Sequence, residues 1–132
     1  MKRVLENDFL KVTIDDHGAE LVSIYDKEKD REVIWQGDPK FWGRHAPVLF
    51  PNVGKYYGGY FTYNGKEYPM GQHGFARDTE FKEVAAGEDF VTYRLSSNET
   101  TKKEYITTVI DGAVAEKYKF LKINKIYHHL YK

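Results

Sequence analysis

Short stretches of alternating apolar and polar residues, each ending in turn-forming residues, run through most of the chain. In Leu10–Ile14 every second residue is apolar, and the stretch leads into Asp15–Gly18, where a glycine permits positive φ. An extended pattern resumes over Ala19–Tyr25, and a third apolar stretch, Val33–Trp35, follows a charged segment. These stretches predict a meander of three strands.

Two more strand pairs are predicted further along the chain. The first is centred on Asn64-Gly65, between Tyr60–Tyr63 and Lys66–Tyr68, because a two-residue type I′ turn requires positive φ at both central positions. The second covers Glu80–Ala85 and Asp89–Leu95. Its later strand places three residues on one face: Val91, Tyr93 and Leu95. With no internal repeat and no clear amphipathic helix before residue 115, the predicted class is all-β.

Two regions do not fit the strand pattern. The prolines of Gly37–Gly54 are spaced too closely for a helix and suit a central strand poorly, so this region is predicted to be a long ordered loop. In Lys117–Lys132, four apolar residues follow a helical spacing: Phe120, Ile123, Tyr127 and Leu130. That tail is predicted to be a short helix or a frayed end.

Length and composition limit the class of protein. The 132 residues, 41% of them hydrophobic, predict a single domain over residues 1–132 with a substantial core. Twenty basic residues balance twenty acidic ones, which argues against nucleic acid or an anionic membrane as a partner. The absence of cysteine excludes disulfides and thiolate metal sites. No apolar run resembles a signal peptide or a membrane span, so the expected location is cytoplasmic.

Two loop segments, Phe41–Pro51 and Gln72–Asp78, combine charged side chains with apolar residues, glycine or proline. Arg44, close to Trp42, suits sugar hydroxyls or a carboxylate, and suits equally a surface arginine stacked on tryptophan. His73 could act as acid, base or hydrogen-bond donor near neutral pH, although a lone histidine is more often structural.

Other polar residues give weaker signals. Arg77 and Asp78 are expected to pair with each other if they are exposed. Three histidines lack the spacing of metal ligands, so no zinc site is predicted: His17, His45 and His73.

Five segments resemble, in their order, those of a known family: GAELVSI, VIWQGDPKFW, RHAPVLFPNVG, FTYNGKEYPMGQHGFARDTEF and YRLSSNET. Together they resemble the bacterial branch of the aldose 1-epimerases, or galactose mutarotases, over residues 3–104. The resemblance implies an antiparallel β-sandwich, part of the galactose mutarotase-like supersandwich, that holds a sugar in an open cleft. It implies interconversion of the α and β anomers of a hexose, with no metal or organic cofactor.

The resemblance also implies roles for individual residues. A general base takes the proton of the anomeric hydroxyl while an acid protonates the ring oxygen. Arg44 corresponds to a sugar-binding arginine, and His73 to a catalytic histidine that hydrogen-bonds the sugar near its ring oxygen. Arg77 is implied as a third contact, suited to a phosphorylated sugar, and Trp42 or Phe75 is expected beside these residues as an apolar platform. The expected ligand is a hexose or a hexose phosphate.

The resemblance ends near Tyr105, and residues 105–132 form a divergent tail. The family's second half supplies another histidine and the carboxylate base, and no motif here corresponds to either. The chain is therefore expected to be an amino-terminal half, arising from a frameshift, an early stop or a natural short form.

Three functions stay open: an aldose 1-epimerase impaired in this short chain, a non-catalytic carbohydrate-binding β-domain, and an orphan β-domain without a ligand. The exposed edges of half a sandwich predict a homo-oligomer. A strand predicted over Ile106–Ile110, followed by a turn at Asp111-Gly112, is expected to cover part of those edges.

Overall fold

A computed structural model describes residues 1–99 and 117–131 of the chain. These residues form nine strands and one α-helix, besides two short 3-10 turns. The elements are β1 (Lys2–Glu6), β2 (Leu10–Asp15), β3 (Glu20–Asp26), β4 (Arg31–Glu32), β5 (Tyr60–Tyr63), β6 (Lys66–Pro69), β7 (Lys82–Ala86), β8 (Phe90–Leu95), β9 (Lys117–Lys122) and α1 (Ile123–Tyr131). All strand pairings among these residues are antiparallel, in sheets of order β1-β2-β3-β4, β5-β6 and β7-β8-β9.

The predicted meander is confirmed for β2 and β3, but its third strand was placed wrongly. The strand that pairs with β3 is Arg31–Glu32, whereas Val33–Trp35 lies outside the sheet. After Val33 donates its N–H to the Ile24 carbonyl at 2.9 Å, the chain leaves β3 for the long loop. The sheet also contains β1, which was not predicted from the sequence.

The hairpin predicted at Asn64-Gly65 is confirmed. Tyr60–Tyr63 pairs with Lys66–Pro69, and φ is +48° at Asn64 and +75° at Gly65. The second predicted pair is confirmed as β7 and β8, with Val91, Tyr93 and Leu95 all buried.

Both larger sheets contribute to one hydrophobic core. In β2, Leu10, Val12 and Ile14 are completely buried, and the inward face of β8 supplies the other side. The period-2 pattern of β2 therefore places every second side chain in the core and the others toward solvent.

The β2–β3 turn packs against the segment that leads into β7. Gly18 donates its N–H to the Thr79 carbonyl at 2.8 Å, and Phe81 donates to the Asp16 carbonyl at 2.9 Å. Gly18 has φ +70°, and a Cβ there would lie 2.6 Å from the Arg77 carbonyl oxygen. Only glycine fits this close approach without strain.

Residues 117–131 form both a strand and a helix. Of the two predicted alternatives, a short helix or a frayed end, the helix is found over Ile123–Tyr131. The helical spacing was wrong at Phe120, because Lys117–Lys122 pairs with β8 as β9. The Phe9 and Tyr127 rings lie 4.9 Å apart, so the helix packs on the β1–β2 turn. No helix among the described residues has the length and hydropathy needed to cross a membrane. The strand and turn predicted over residues 106–112 lie outside the described residues, and the homo-oligomer stays a prediction.

Because of Tyr93, the stability of the fold is expected to decrease at alkaline pH. Burial, and secondarily the Asp16 carboxylate, raise its pKa above the ordinary value of 10. The folded protein therefore keeps a proton that the unfolded chain releases above about pH 10, so stability from this group is complete below that pH and declines above it. We expect the free energy of unfolding to fall there by up to about 1.4 kcal/mol per pH unit more than in Tyr93→Phe.

Denaturant titrations at several pH values between about 8 and 11 would measure this slope on both sides of the ordinary tyrosine pKa. Tyr57→Phe is the matched control, because Tyr57 is fully exposed. Equal slopes in the wild type and in Tyr93→Phe would contradict the prediction.

Candidate functional site

The two loops that carry the predicted site residues contact each other. We define them as the first loop, residues 41–54, and the second loop, residues 71–78. The N–H groups of Phe75 and Ala76 donate to the Phe50 carbonyl at 3.0 and 3.1 Å, and Phe50 and Gly74 form an isolated parallel bridge. The Phe50 and Phe75 rings pack edge to face at 6.2 Å. Hydrogen bonds and ring packing thus join the loops without a regular sheet.

His73 is fixed to the first loop through both its backbone and its ring. Its N–H donates to the Gly54 carbonyl at 2.8 Å, and the Gly54 N–H donates back to the imidazole Nδ1 at 2.8 Å. The residue has φ +63°, in the left-handed region that few non-glycine residues occupy. This reciprocal pair holds the ring in one orientation.

The hydrogen bond from Gly54 also determines which ring nitrogen carries the proton. A nitrogen that accepts a hydrogen bond has no proton, so in the neutral ring the proton is on Nε2. The Gln72 amide nitrogen lies 3.3 Å from Nε2, and a 180° turn of that amide places its carbonyl oxygen where it can accept from the Nε2–H. His73 is therefore arranged as a hydrogen-bond donor through Nε2.

A cavity of about 380 Å³ lies between the two loops. Its lining residues are Trp42, Pro47, Leu49, Gln72, His73 and Arg77. Three of the four predicted site residues, Trp42, His73 and Arg77, thus share one cavity. A half-exposed indole, an imidazole donor and a guanidinium offer one apolar face and several hydrogen-bond donors to a polar ligand.

The backbone of Trp42 is held by a hydrogen bond from a second tryptophan. The Trp35 indole N–H donates to the Trp42 carbonyl at 2.8 Å, and the Trp35 ring meets Phe41 edge-on at 6.2 Å. Phe75, the alternative platform predicted from the sequence, lies in the second loop and is buried in the core, so it offers no apolar face to the cavity beside Trp42.

Arg44, the fourth predicted residue, is not among the described residues that line this cavity. Its Nη1 donates to the Arg77 carbonyl at 3.1 Å and lies 3.9 Å from a Glu20 carboxylate oxygen. Its Nη2 pairs with Asp78. The guanidinium thus bridges the first loop to the second. Arg77 pairs with Asp78 as well, Nε to Oδ2 at 3.5 Å, so Asp78 contacts both arginines.

Three residues around this site were not predicted from the sequence. Gln72 lies in one of the family-like segments but was assigned no role, and Asp78 was considered only as a partner of Arg77. Glu20 was interpreted as part of a strand; the available signal was a carboxylate as the one charged residue of Ala19–Tyr25. Its partners, in the first loop, are 25 and 26 positions away.

A second cavity, of about 370 Å³, lies between β3 and the tail and holds none of the predicted residues. Its lining is largely aliphatic, from residues such as Leu21, Ile24 and Ile126. Within residues 1–99 and 117–131, no cluster of three or more histidine or carboxylate side chains could hold a metal ion.

Known proteins are similar to this chain in sequence. The family model described as aldose 1-epimerase matches residues 1–109. The plasmid-encoded protein LacX of Lactococcus lactis subsp. lactis is 34% identical over 107 residues, which cover 77% of this chain and 36% of LacX. The chain thus spans about a third of the length of the curated relatives it matches.

Two solved structures show the same fold. A galactose mutarotase related enzyme from Lactobacillus acidophilus is 46% identical, with a TM-score of 0.78 over 80% of this chain and 35% of that protein. A galactose mutarotase-like protein from Lactobacillus casei is 35% identical, with a TM-score of 0.79 over 92% of this chain and 44% of that protein. The expected fold, an all-β sandwich of the galactose mutarotase type, is confirmed.

Proposed function

Because the chain belongs to the aldose 1-epimerase family, we propose that the cavity between the two loops binds an aldose and supplies the hydrogen-bond donor, but not the base, for interconversion of its anomers. The observation that carries this proposal is the convergence of Trp42, His73 and Arg77 on one cavity. Aromatic faces suit the apolar C–H face of a sugar, and fixed donors suit its oxygens.

The proposed reaction moves protons without a net change in composition. A base removes the proton from the anomeric O1–H as a proton is delivered to the ring oxygen, the bond between C1 and that oxygen breaks, and an open-chain aldehyde forms. Rotation about C1–C2 and closure on the other face give the second anomer. In this scheme the Nε2–H of His73 donates a hydrogen bond to the ring oxygen, where negative charge develops. The proton itself comes from water, and the base restores that water with the proton taken from O1–H.

Each residue has a separate proposed role. Trp42 forms the apolar floor, and Arg77 contacts a hydroxyl or, in a hexose phosphate, the phosphate group. Arg44 contributes by holding the two loops together through Arg77 and Asp78.

A non-catalytic carbohydrate-binding domain is the second candidate, and one observation favours it. None of the described residues that line the cavity is an aspartate or glutamate, so this lining offers no carboxylate base opposite His73. Binding without an effect on the anomers would identify this function.

We expect His73→Ala to weaken sugar binding by roughly 2- to 10-fold, because a single hydrogen bond contributes about 0.5–1.5 kcal/mol. Titration of galactose and glucose, followed by tryptophan fluorescence, measures the affinity. His17→Ala is the matched control, since that imidazole is half exposed and pairs with Glu80 at 2.7 Å. Titration with a hexose 6-phosphate tests the contribution of Arg77.

Saturable binding that falls in His73→Ala and stays unchanged in His17→Ala supports the proposal. The proposal would be contradicted if none of these sugars binds, or if His73→Ala and His17→Ala lose sugar affinity equally.

A further inference from the structure

Glu20 is one of two buried carboxylates among the described residues, with 7% of its surface exposed. The other, Asp26, accepts the N–H groups of Glu28 and Lys29 at 3.0 Å and so stabilises its own turn. The carboxylate of Glu20 reaches away from its own turn. It contacts Arg44, His45 and Ala46, all of which belong to the first loop.

Both carboxylate oxygens of Glu20 face groups of the first loop. Oε1 accepts the backbone N–H of His45 at 2.6 Å and that of Ala46 at 3.1 Å, and lies 3.5 Å from the His45 ring. Oε2 lies 3.9 Å from the Arg44 guanidinium. A buried charge persists only where donors and an opposite charge compensate its lost hydration, and these contacts supply both.

The contacts of Glu20 extend to both sides of the cavity. Ala46 directly precedes Pro47, which lines the cavity from the first loop. Arg44 reaches across to the Arg77 carbonyl and to Asp78 in the second loop. On the far side of His45, a Cβ at Gly37 would lie 2.7 Å from the imidazole, so the ring packs directly on that backbone.

From these contacts we propose that Glu20 is a positioning residue of the sugar cavity. Strand β3 holds its carboxylate at a fixed point, the carboxylate holds the backbone at His45 and Ala46, and its charge orients Arg44, which joins the second loop. That the positioned cavity receives a sugar rests on the proposed function; that Glu20 holds the two loops does not.

Two substitutions separate the hydrogen bonds of Glu20 from its charge. Glu20→Ala removes both, and Glu20→Gln keeps an oxygen that accepts the His45 and Ala46 N–H groups but removes the charge that faces Arg44. Glu32→Ala is the matched control, because Glu32 is a half-buried carboxylate of the same sheet that accepts the Ser23 hydroxyl at 2.5 Å.

Amide hydrogen exchange and the NMR signals of the His73 ring are the first readouts, and they need no sugar. We expect exchange at His45 and Ala46 to accelerate by roughly 10- to 100-fold in Glu20→Ala, which is the loss of a hydrogen bond to a charged acceptor. Exchange in Glu20→Gln should remain closer to the wild type. The His73 ring signals should shift in both variants and stay unchanged in Glu32→Ala.

Sugar affinity is the second readout. We expect it to fall roughly tenfold in Glu20→Ala, because the first loop is no longer held in a fixed position relative to the second. Unchanged exchange at His45 and Ala46 in Glu20→Ala, or unchanged His73 signals in either Glu20 variant, would overturn the positioning role. If the wild type binds no sugar, the proposed function fails, and the exchange data still decide whether Glu20 holds the loops. If Glu20→Ala does not fold, Glu20→Gln decides through the His73 signals.

Discussion

Freshly dissolved α-galactose should equilibrate in the presence of this protein at close to its spontaneous rate. Catalysis of this reaction needs an acid and a base on either side of the sugar, and positioned proton transfer contributes about 10²- to 10⁴-fold. The described residues lining the cavity include His73 and Arg77 but no carboxylate. Asp78, the acidic residue next to Arg77, is engaged by two arginines.

Polarimetry with and without protein measures the rate, and His73→Ala is the comparison. We expect both proteins to leave the rate near its spontaneous value. Protein-dependent acceleration that disappears in His73→Ala would contradict the prediction and would show that a base is present after all.

An added carboxylate can test whether the base is the only group that the cavity lacks. If the cavity lacks only a base, acetate at high concentration should accelerate the reaction in the presence of the wild type and not in the presence of His73→Ala. Saturable sugar binding without rescue would instead support the carbohydrate-binding function. If neither binding nor rescue occurs, both candidate functions are excluded.

Gly74→Ala should destabilise the fold by on the order of 3 kcal/mol or more, because it combines backbone strain with overpacking. The residue has φ +74°, and a Cβ would lie 2.2 Å from the Phe50 carbonyl oxygen. That oxygen is a backbone atom and also accepts the N–H groups of Phe75 and Ala76. It therefore cannot move aside as the end of a flexible side chain could. The contact between the two loops must open to admit the methyl group.

Gly65→Ala is the matched control, since φ is +75° there and no atom lies within 4 Å of the point that an added methyl group would occupy. Its expected cost is about 1 kcal/mol, from the backbone conformation alone. Denaturant titration of the two variants isolates the steric part of the effect. Equal losses would show that the loops separate easily at Phe50, and would contradict the close packing.

The effect on the site should follow the effect on stability. Gly74 adjoins His73, whose ring and backbone both bond to Gly54. We therefore expect the His73 ring signals to shift in Gly74→Ala and to remain unchanged in Gly65→Ala. This comparison tests whether the left-handed pair at residues 73 and 74 positions the histidine.

Most strands could be predicted from the sequence because their determinants are local. The alternation in Leu10–Ile14 and Val91–Leu95 reflects a side-chain period of two, which a buried face requires wherever the strand lies. Asn64-Gly65 determines its own hairpin through positive φ. Local signals failed at Val33–Trp35, which has strand-like residues but lies where the chain leaves β3.

The candidate site divides in the same way. The sequence by itself identified the two loops and, through ordered motifs, the side chains Trp42, His73, Arg77 and Arg44. Only the tertiary structure placed the first three around one cavity and engaged Arg44 with Glu20, Arg77 and Asp78. It also set the proton of neutral His73 on Nε2, through an N–H from a residue 19 positions earlier. Such contacts depend on how the sheets pack and how closely glycines let two backbones approach, and no local periodicity records either.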